Sequence, residues 1–375
     1  MKDPFLEERH EQIARKVRVF GDKHLRPRAH EEENPAAEAR ALALLMADQG
    51  LLGAAVSPPH GSMDLRSLAA AREGLAYFSG LADATFAMQG LGAFPITLAG
   101  TDVQKNRWLP AVVRGEILSS FALTEPEAGS DLQAVRTRAV RDGALWRLEG
   151  VKTFISNAGI AGVYTILARS SEAERRRGLS MFLVDAEAPG LAIKPLEAMA
   201  PHPLGEIRFD GTPAVLLGEE GSGYDVALST LEYFRPSVGA AACGLASRAL
   251  DEAVSWSLAR RQFGQALAEL QATKMALAEM HVEIEAARLL VHQAAWLKDA
   301  SRVAIAREGA SAKLFATEMA QRVVDRAVQI HGGQGVMRGS TVERLYREVR
   351  ALRIYEGTSE IQKLVIAREI LKDRR

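Results

Sequence analysis

The sequence lacks features that several classes of protein require. Its 375 residues contain one cysteine, Cys243, which excludes an intramolecular disulfide framework and any zinc or iron–sulfur site with several cysteine ligands. The eight histidines are scattered, so we expect no metal site. The 47 basic and 47 acidic side chains cancel. Without a positive excess there is no long-range attraction to phosphate backbones, and nucleic acid is not an expected partner.

Long hydrophobic runs are also missing. The apolar stretches are interrupted by Arg, Glu or Gly well before the roughly 18 residues that a membrane-spanning helix needs. The initial segment, MKDPFLEERHEQIARKV, is charged throughout and contains no apolar core of a signal peptide. These absences predict a cytoplasmic protein with no membrane span.

Several nucleotide and hydrolase motifs are absent. No Gly-x-Gly-x-x-Gly follows a predicted strand and opens a helix, which leaves a Rossmann dinucleotide site unsupported. The chain also has no Gly-x-x-x-x-Gly-Lys-Ser/Thr phosphate loop and no Gly-x-Ser-x-Gly nucleophile elbow. Any cofactor or nucleophile must therefore be found from other motifs.

The sequence does contain three zones with different hydrophobic patterns. Residues 1–118 have apolar side chains at helical spacing. Residues 119–223 consist of short apolar runs, such as Val163–Ala168, separated by Gly, Pro and Asp, which predicts antiparallel strands joined by turns. Helical spacing returns over 224–375, in runs near 224–260, 267–298, 303–330 and 359–371, with a loop-like interruption at Arg261–Gln265. The predicted fold class is therefore α+β, mainly α, with an N-terminal helical domain (1–118), a middle β domain (119–223) and a C-terminal helical domain (224–375).

The most distinctive motif is FALTEPEAGSD at 121–131, at the start of the β zone. Its hydroxyl and backbone N–H groups could bind a planar polar ring or a phosphate, although a plain loop between two elements has the same composition. Four further segments follow in the order VKTFISNA (151–158), RRQFG (260–264), AVQIHGGQG (327–335) and IYEGTSEIQ (354–362). Together the five motifs resemble the acyl-CoA dehydrogenase family of flavoproteins, and the resemblance extends from about residue 10 to 372.

This resemblance implies a fold, a cofactor and a reaction. The fold is an N-terminal helical domain, a β domain and a C-terminal four-helix bundle, with FAD between the β domain and two C-terminal domains. Family members usually form homotetramers built as dimers of dimers. The implied reaction is α,β-dehydrogenation of an acyl-CoA thioester to the trans-2-enoyl-CoA, with electrons passed to electron-transfer flavoprotein.

Glu356 is the catalytic base that the resemblance implies. A carboxylate can take the α proton when apolar surroundings raise its pKa towards the working pH. The adjacent Gly357 would let substrate approach, and the N–H of Glu356 could donate to the thioester oxygen. Other family members carry the base on an earlier helix, at the position of Phe234, which cannot accept a proton. In isolation, Glu356 could equally be a turn residue before a helix.

The resemblance also implies contacts to FAD and to substrate. Arg260 suits the pyrophosphate because its planar guanidinium can pair with two oxygens at once. The residues implied for FAD are Leu123, Thr124, Phe154, Ser156, Arg260, Gln262, Phe263, Gln329, Gly333, Thr358 and Glu360. Those implied for the substrate are Ser130, Glu232, Arg235 and Gly357.

The acyl group is predicted to be short, branched or cyclic, because Phe234 and Phe94 are bulky at positions implied to line the pocket. A dicarboxylyl substrate is not expected, since family members that use one carry an arginine near the position of Ala82. Two alternatives keep the fold. One is a flavin oxidase or monooxygenase acting on a non-CoA substrate, and the other is a non-enzymatic or DNA-associated protein. Retention of Glu356, Arg235 and Ser130 argues against the first, and zero net charge against the second.

Overall fold

The computed structural model describes residues 3–28, 34–58, 62–143, 145–173, 175–301 and 304–372. The chain forms two compact units: unit 1 comprises 1–30, 64–83 and 232–375, and unit 2 comprises 31–63 and 84–231. The three predicted domains were defined by their type of secondary structure, whereas the two units are defined by which segments pack together. In unit 1 the early helix Leu65–Phe78 packs against the late helix Gln271–Ser301, so N-terminal and C-terminal segments share one core. The predicted three-domain division stays a prediction.

The helices agree with the predicted helical zones. In chain order they are α1 (Glu8–Phe20), α2 (Pro35–Asp48), α3 (Leu65–Phe78), α4 (Gly80–Ala99), α5 (Asp102–Val113), α6 (Gly223–Ala259), α7 (Gln271–Ser301), α8 (Ala306–His331), α9 (Thr341–Arg350) and α10 (Ser359–Lys372). The long helical runs predicted from residue 224 onward correspond to α6, α7 and α8, and the run over 359–371 corresponds to α10. No helix formed by the described residues combines the length and apolar character needed to cross a membrane.

Small side chains allow the helices of unit 1 to pack closely. The core of α6, α7 and α8 is rich in fully buried alanine. Gly239 of α6 shows how close the helices lie, because a Cβ atom there would be 2.7 Å from Cγ2 of Val291 on α7. This helical framework carries Arg235 and Lys313, two of the cations near Glu356.

The strands of unit 2 form a mixed sheet. In chain order they are β1 (Leu118–Ala122), β2 (Arg138–Asp142), β3 (Leu145–Ser156), β4 (Ala161–Arg169), β5 (Leu179–Asp185), β6 (Leu191–Leu196) and β7 (Leu204–Leu217). Their order is β1-β4-β2-β3-β7-β5, with β6 on β7, and β5 also pairs with β4. Most pairs are antiparallel as predicted, but β1 and β2 both lie parallel to β4. The long connection that contains β2 and β3 allows β1 and β4 to run in the same direction.

A short hairpin lies outside this sheet, in unit 1. Its strands are β8 (Arg261–Gln262) and β9 (Gln265–Ala266), which pair antiparallel. The sequence predicted only a loop-like interruption here, between two long helices. The hairpin matters because it contains Gln262 and Phe263, which are implied for FAD, and Arg260 directly precedes it.

Candidate active site

A strained turn just before α10 carries Glu356 and Gly357. Both residues have positive φ, 54° and 93°, so both lie in the left-handed region. For a non-glycine residue such as Glu356 this conformation costs roughly 1–2 kcal/mol. At Gly357 a Cβ atom would lie 2.6 Å from Nε2 of Gln362. The turn therefore needs a glycine for its conformation and for space, and strain of this kind is concentrated at functional sites.

Three side chains from three different helices hold the main chain of this turn. Lys313 Nζ, on α8, donates to the carbonyl of Gly357 at 2.8 Å. Gln362 Nε2, on α10, donates to the carbonyls of Gly357 at 2.8 Å and Glu356 at 3.2 Å. Arg235 Nε, on α6, donates to the Glu356 carbonyl at 3.4 Å. Because Lys313 and Gln362 are fully buried, the position of Glu356 is fixed by the helical framework.

The carboxyl group of Glu356 is poised to act as a base. The residue is half-buried, but its Oε2 atom is shielded from solvent and has no hydrogen-bond partner within the described part of the chain. Burial raises the pKa of Glu356, while the charges of Arg72, Lys313 and Arg235 partly oppose the rise. A shielded carboxylate with a raised pKa and a free oxygen is the arrangement that proton abstraction requires.

A buried ion pair lies in the electrostatic surroundings of Glu356. Arg72 Nε and Nη2 donate to the two carboxylate oxygens of Asp83 at 2.8 and 2.9 Å, and Arg72 Nη1 donates to Ser237 Oγ at 2.9 Å. Arg72 is almost completely buried. Among the nearby charges, Arg72 opposes the rise of the Glu356 pKa most strongly, whereas the negative charge of Asp83 adds to that rise.

Sequence analysis missed Arg72, Asp83, Lys313 and Gln362. The available signal was position: Lys313 lies on the apolar face of α8, between residues such as Ala312 and Ala316 that are fully buried. A charged side chain on such a face is rarely left without a partner, and that rarity could have identified it.

In unit 2, a buried ion pair fixes the loop that follows β1. Lys152 Nζ, on β3, donates to Glu125 Oε1 at 2.8 Å and to the carbonyl of Leu123 at 2.9 Å. Glu125 also accepts from the backbone N–H of Thr137 at 2.9 Å. The backbone N–H of Thr153 donates to the carbonyl of Thr124 at 2.9 Å. The predicted flavin contacts Leu123 and Thr124 are thereby held against β3.

The end of β3 presents an aromatic ring next to a hydroxyl group. The pairing of β3 with β7 shifts register between Lys152 and Ile155, and within this irregularity Phe154 has a positive φ of 56°. Its side chain is 64% exposed, which is unusual for phenylalanine. Ser156 is half-buried two residues later, and its Oγ is 2.7 Å from Nε2 of His202. A strained, exposed aromatic face with hydroxyl groups nearby fits a planar polar ring such as isoalloxazine.

The β8–β9 hairpin presents a second exposed aromatic ring. Its two turn residues, Phe263 and Gly264, both have positive φ, 53° and 79°. This geometry normally selects Asn or Gly at the first position, so Phe263 is strained there. The side chain is 90% exposed. Arg260 and Gln262 are exposed beside it. The structure thus places Phe263 at the tip of the hairpin, Gln262 beside it and Arg260 at its base.

The three glycines of HGGQG differ in the structural constraint that requires a glycine at each position. Gly332 has a positive φ of 60°, and a Cβ atom at Gly335 would lie 2.5 Å from the carbonyl oxygen of Val328. Gly333 has neither constraint, because a Cβ atom there would meet nothing within 4 Å. Gly333 and Gln329, at the end of α8, are both exposed. A glycine without a structural reason fits close approach by a cofactor.

Four predicted residues remain, and Glu232 and Thr358 have hydrogen-bond partners within the chain. The carboxylate of Glu232 accepts from the backbone N–H of Ile305 at 3.1 Å and from Lys298 Nζ at 3.5 Å, which is a structural role. Thr358 accepts from the backbone N–H of Gln362 through its carbonyl at 3.0 Å, at the start of α10. Ser130 and Glu360 are exposed. Their contacts with CoA or FAD stay predictions.

The residues predicted to shape the acyl pocket are all buried. Phe234 and Ala82 are fully buried in unit 1, and Phe94 is buried in unit 2. The burial of Phe234 agrees with an apolar role. The size of the acyl group stays a prediction.

Comparisons with known proteins cover nearly the whole chain. Three family models match in order: acyl-CoA dehydrogenase N-terminal domain over 7–116, middle domain over 120–212 and C-terminal domain over 221–371. The 3-(aryl)acrylate reductase of Clostridium sporogenes is 37% identical over 98% of this chain and 100% of its own length. The cyclohexane-1-carbonyl-CoA dehydrogenase of Geobacter metallireducens is 37% identical over 88% of both chains. The solved butyryl-CoA dehydrogenase of Megasphaera elsdenii superposes with a TM-score of 0.91 at 32% identity, covering 99% of this chain and 100% of that one.

Proposed function

Since this chain belongs to the acyl-CoA dehydrogenase family of FAD-dependent oxidoreductases, we propose that it removes the α and β hydrogens of an acyl-CoA thioester and leaves a trans-2-enoyl-CoA. The family, fold class and cofactor expected from the sequence are thereby confirmed. The observation that carries the proposed mechanism is the Glu356 carboxyl group, which has a shielded oxygen without a hydrogen-bond partner among the described residues.

In the proposed reaction Glu356 takes the α proton. Its raised pKa makes proton transfer from carbon less unfavourable than it would be to an ordinary glutamate. The α carbon is acidified when negative charge can develop on the thioester oxygen, and the backbone N–H of Glu356 is the donor we propose for that oxygen. Lys313, Gln362 and Arg235 keep this turn in place during the proton transfer.

FAD supplies the acceptor for the β hydride when it is bound. The residues that would hold it are Leu123, Thr124, Phe154, Ser156, Arg260, Gln262, Phe263, Gln329, Gly333, Thr358 and Glu360. The exposed ring of Phe154 and the open approach to Gly333 support this assignment, because neither is explained by packing within the chain.

We further propose a homotetramer that passes electrons to electron-transfer flavoprotein. The projecting tip at Phe263 supports a contribution to the FAD site of a neighbouring subunit, since an aromatic side chain 90% exposed and strained lacks a role within one chain. For the substrate we propose CoA contacts by Ser130, Glu232 and Arg235, with Gly357 next to the reacting carbons. The buried bulk of Phe234 supports a short, branched or cyclic acyl group.

The decisive experiment is anaerobic mixing of the FAD-loaded protein with a panel of acyl-CoA esters while the long-wavelength flavin absorption is followed. We expect bleaching with short, branched or cyclic esters. Glu356→Gln should keep FAD and bind acyl-CoA but lose bleaching. The matched control is Glu369→Gln on α10, whose carboxylate pairs only with Arg368 and Lys372 in the described structure. Bleaching that survives in Glu356→Gln would refute the base assignment, and a wild-type protein bleached by no CoA ester would favour a non-CoA oxidase.

The reverse reaction is a second candidate, favoured by the similarity to a 3-(aryl)acrylate reductase. The same base would then return a proton to the α carbon. One comparison of rates distinguishes the two directions of the reaction. The reduced protein is mixed anaerobically with an enoyl thioester, and the rate of flavin reoxidation is compared with the rate at which the saturated ester bleaches the oxidised protein. Reoxidation much faster than bleaching would favour the reductase direction.

A further inference from the structure

His202 contacts a residue that we assign to the flavin, and sequence analysis did not single it out. Its Nε2 atom lies 2.7 Å from Ser156 Oγ, and this is the hydrogen bond that the described residues give to the ring. The main chain fixes the pair, because the N–H of Asn157 donates to the carbonyl of Pro203 at 2.9 Å. Ser156 is also paired with Leu204 in the β3–β7 ladder. The contact is therefore set by the sheet.

The imidazole of His202 is neutral at ordinary pH. Burial lowers the pKa of His202 to about 4, because the imidazolium is poorly solvated there. A neutral imidazole carries one proton, on either Nε2 or Nδ1, so Nε2 can donate to Ser156 in one tautomer and accept from it in the other. The ring is half-buried, so exchange of its proton with water is not blocked.

A hydroxyl group next to the reactive flavin nitrogen has to serve two states. Oxidised N5 is a hydrogen-bond acceptor, whereas N5 carries a hydrogen and is a donor after hydride transfer. A hydroxyl that donates to oxidised N5 must accept from reduced N5, and its own hydrogen then needs another acceptor. A buried hydroxyl hydrogen without an acceptor is costly, by about 1–3 kcal/mol. The partner of the hydroxyl should therefore be able to reverse its role.

We propose that His202 is a positioning residue that reverses the hydrogen bond of Ser156 when the flavin changes redox state. The inference rests on the proposed function, which assigns Ser156 to FAD, and it adds that the Ser156 hydroxyl faces N5. With oxidised flavin, Nε2–H donates to Ser156 and the hydroxyl donates to N5. With reduced flavin, N5–H donates to Ser156, the hydroxyl donates to Nε2, and the ring proton is on Nδ1. The imidazole loses a proton at Nε2 and gains one at Nδ1 through water, so its net proton count is unchanged.

The direct test is a solid-state nitrogen-15 spectrum of the holoenzyme labelled in histidine, recorded in the oxidised and the dithionite-reduced states. The signal of His202 is assigned by its absence in His202→Gln. We expect the protonated nitrogen to change from Nε2 to Nδ1 on reduction. The same tautomer in both states would overturn the proposal.

A thermodynamic cycle tests the same inference through the flavin midpoint potential. His202→Leu should lower the potential, since it removes the acceptor that the Ser156 hydroxyl needs in the reduced state. His202→Gln should restore it, because a side-chain amide can turn to present either an acceptor or a donor. In a Ser156→Ala background, His202→Leu should cause no further change. An equal fall with and without Ser156 would show that His202 acts through structure alone.

The controls separate this inference from the proposed function. The FAD content and the midpoint of thermal unfolding of each holoenzyme variant are measured first. If His202→Leu loses FAD, His202→Gln takes its place in the comparison. If wild type binds FAD and is bleached by acyl-CoA but His202→Leu keeps the wild-type potential, the inference fails alone. If wild type is bleached by no CoA ester, the proposed function fails, and the tautomer measurement still tests the Ser156–His202 pair in the flavin-loaded protein.

Discussion

Lys313 both holds the main chain of the turn and affects the pKa of Glu356. Replacing Lys313 with methionine tests both effects. The ammonium group is fully buried and donates to the carbonyl of Gly357 at 2.8 Å. Burial lowers the pKa of Lys313 to about 8, with Glu356 acting in the opposite direction, so the group is still charged at pH 7. Lys313→Met keeps an unbranched side chain of similar length and removes both the donor and the charge.

The expected effect on stability is modest. A hydrogen bond from a charged donor contributes about 1.5–3 kcal/mol. Gln362 still donates to the same carbonyl at 2.8 Å, so this acceptor is not orphaned. The variant also no longer has to bury an ammonium group, which offsets part of the loss. We therefore expect the free energy of unfolding to fall by about 1–2 kcal/mol.

The effect on catalysis follows from the sign of the charge. Glu356 must be ionised to take a proton, so activity falls as the pH drops through its raised pKa. The Lys313 cation favours the ionised form and opposes the rise. Without it the pKa of Glu356 rises further, and the acid limb of activity moves to higher pH. The difference from wild type should shrink above about pH 8, where Lys313 itself loses its proton.

The assay is kcat/KM for the preferred acyl-CoA as a function of pH, measured with FAD-saturated protein. Lys274→Met is the matched control, because Lys274 is an exposed lysine on α7 in the same unit. The control removes one positive charge and should leave the acid limb unchanged. An acid limb that stays in place in Lys313→Met, or moves to lower pH, would refute the electrostatic reasoning.

Two further predictions concern the turn and the loop after β1. Gly357→Ala places a Cβ atom 2.6 Å from Gln362 Nε2 in a left-handed backbone, so we expect the turn to shift and kcat/KM to fall about 100-fold with little change in circular dichroism. Lys152→Met leaves Glu125 buried without its cation, which should cost about 3–5 kcal/mol in urea unfolding. Adding Glu125→Gln should recover part of that loss, and no recovery would argue against a charge effect.

Helical spacing and turn residues were sufficient to predict the main elements of this fold. The predicted strand Val163–Ala168 lies within β4, and the helical run 303–330 corresponds closely to α8. β1 was missed, because its LSSFA sequence has two consecutive serines where alternation would place an apolar residue. Both serines are fully buried and hydrogen-bonded, for example Ser119 Oγ to the carbonyl of Met88 at 3.0 Å. Hydrophobicity alone cannot predict a buried polar residue whose partners come from another element.

The catalytic base was expected from a sequence motif, whereas the charged residues around it could not be predicted from the sequence. Glu356 belongs to a contiguous segment that can be compared with a family. Arg72, Asp83 and Lys313 are distant from it in sequence, and each is an ordinary charged residue on a helix until packing brings it to the turn. His202 was missed for the same reason, because its contact with Ser156 depends on the pairing of β3 with β7.

The charges around Glu356 resolve an apparent conflict in its chemistry. Burial alone would leave the carboxyl group protonated at neutral pH, and a protonated group cannot take the α proton. Unopposed cations would lower the pKa and make the carboxylate a weak base. In the structure the cations Arg72, Lys313 and Arg235 oppose the effect of burial, whereas Asp83, which accepts two hydrogen bonds from Arg72, acts in the same direction as burial. The pKa of Glu356 is therefore raised, while three nearby cations favour the ionised form that takes the proton.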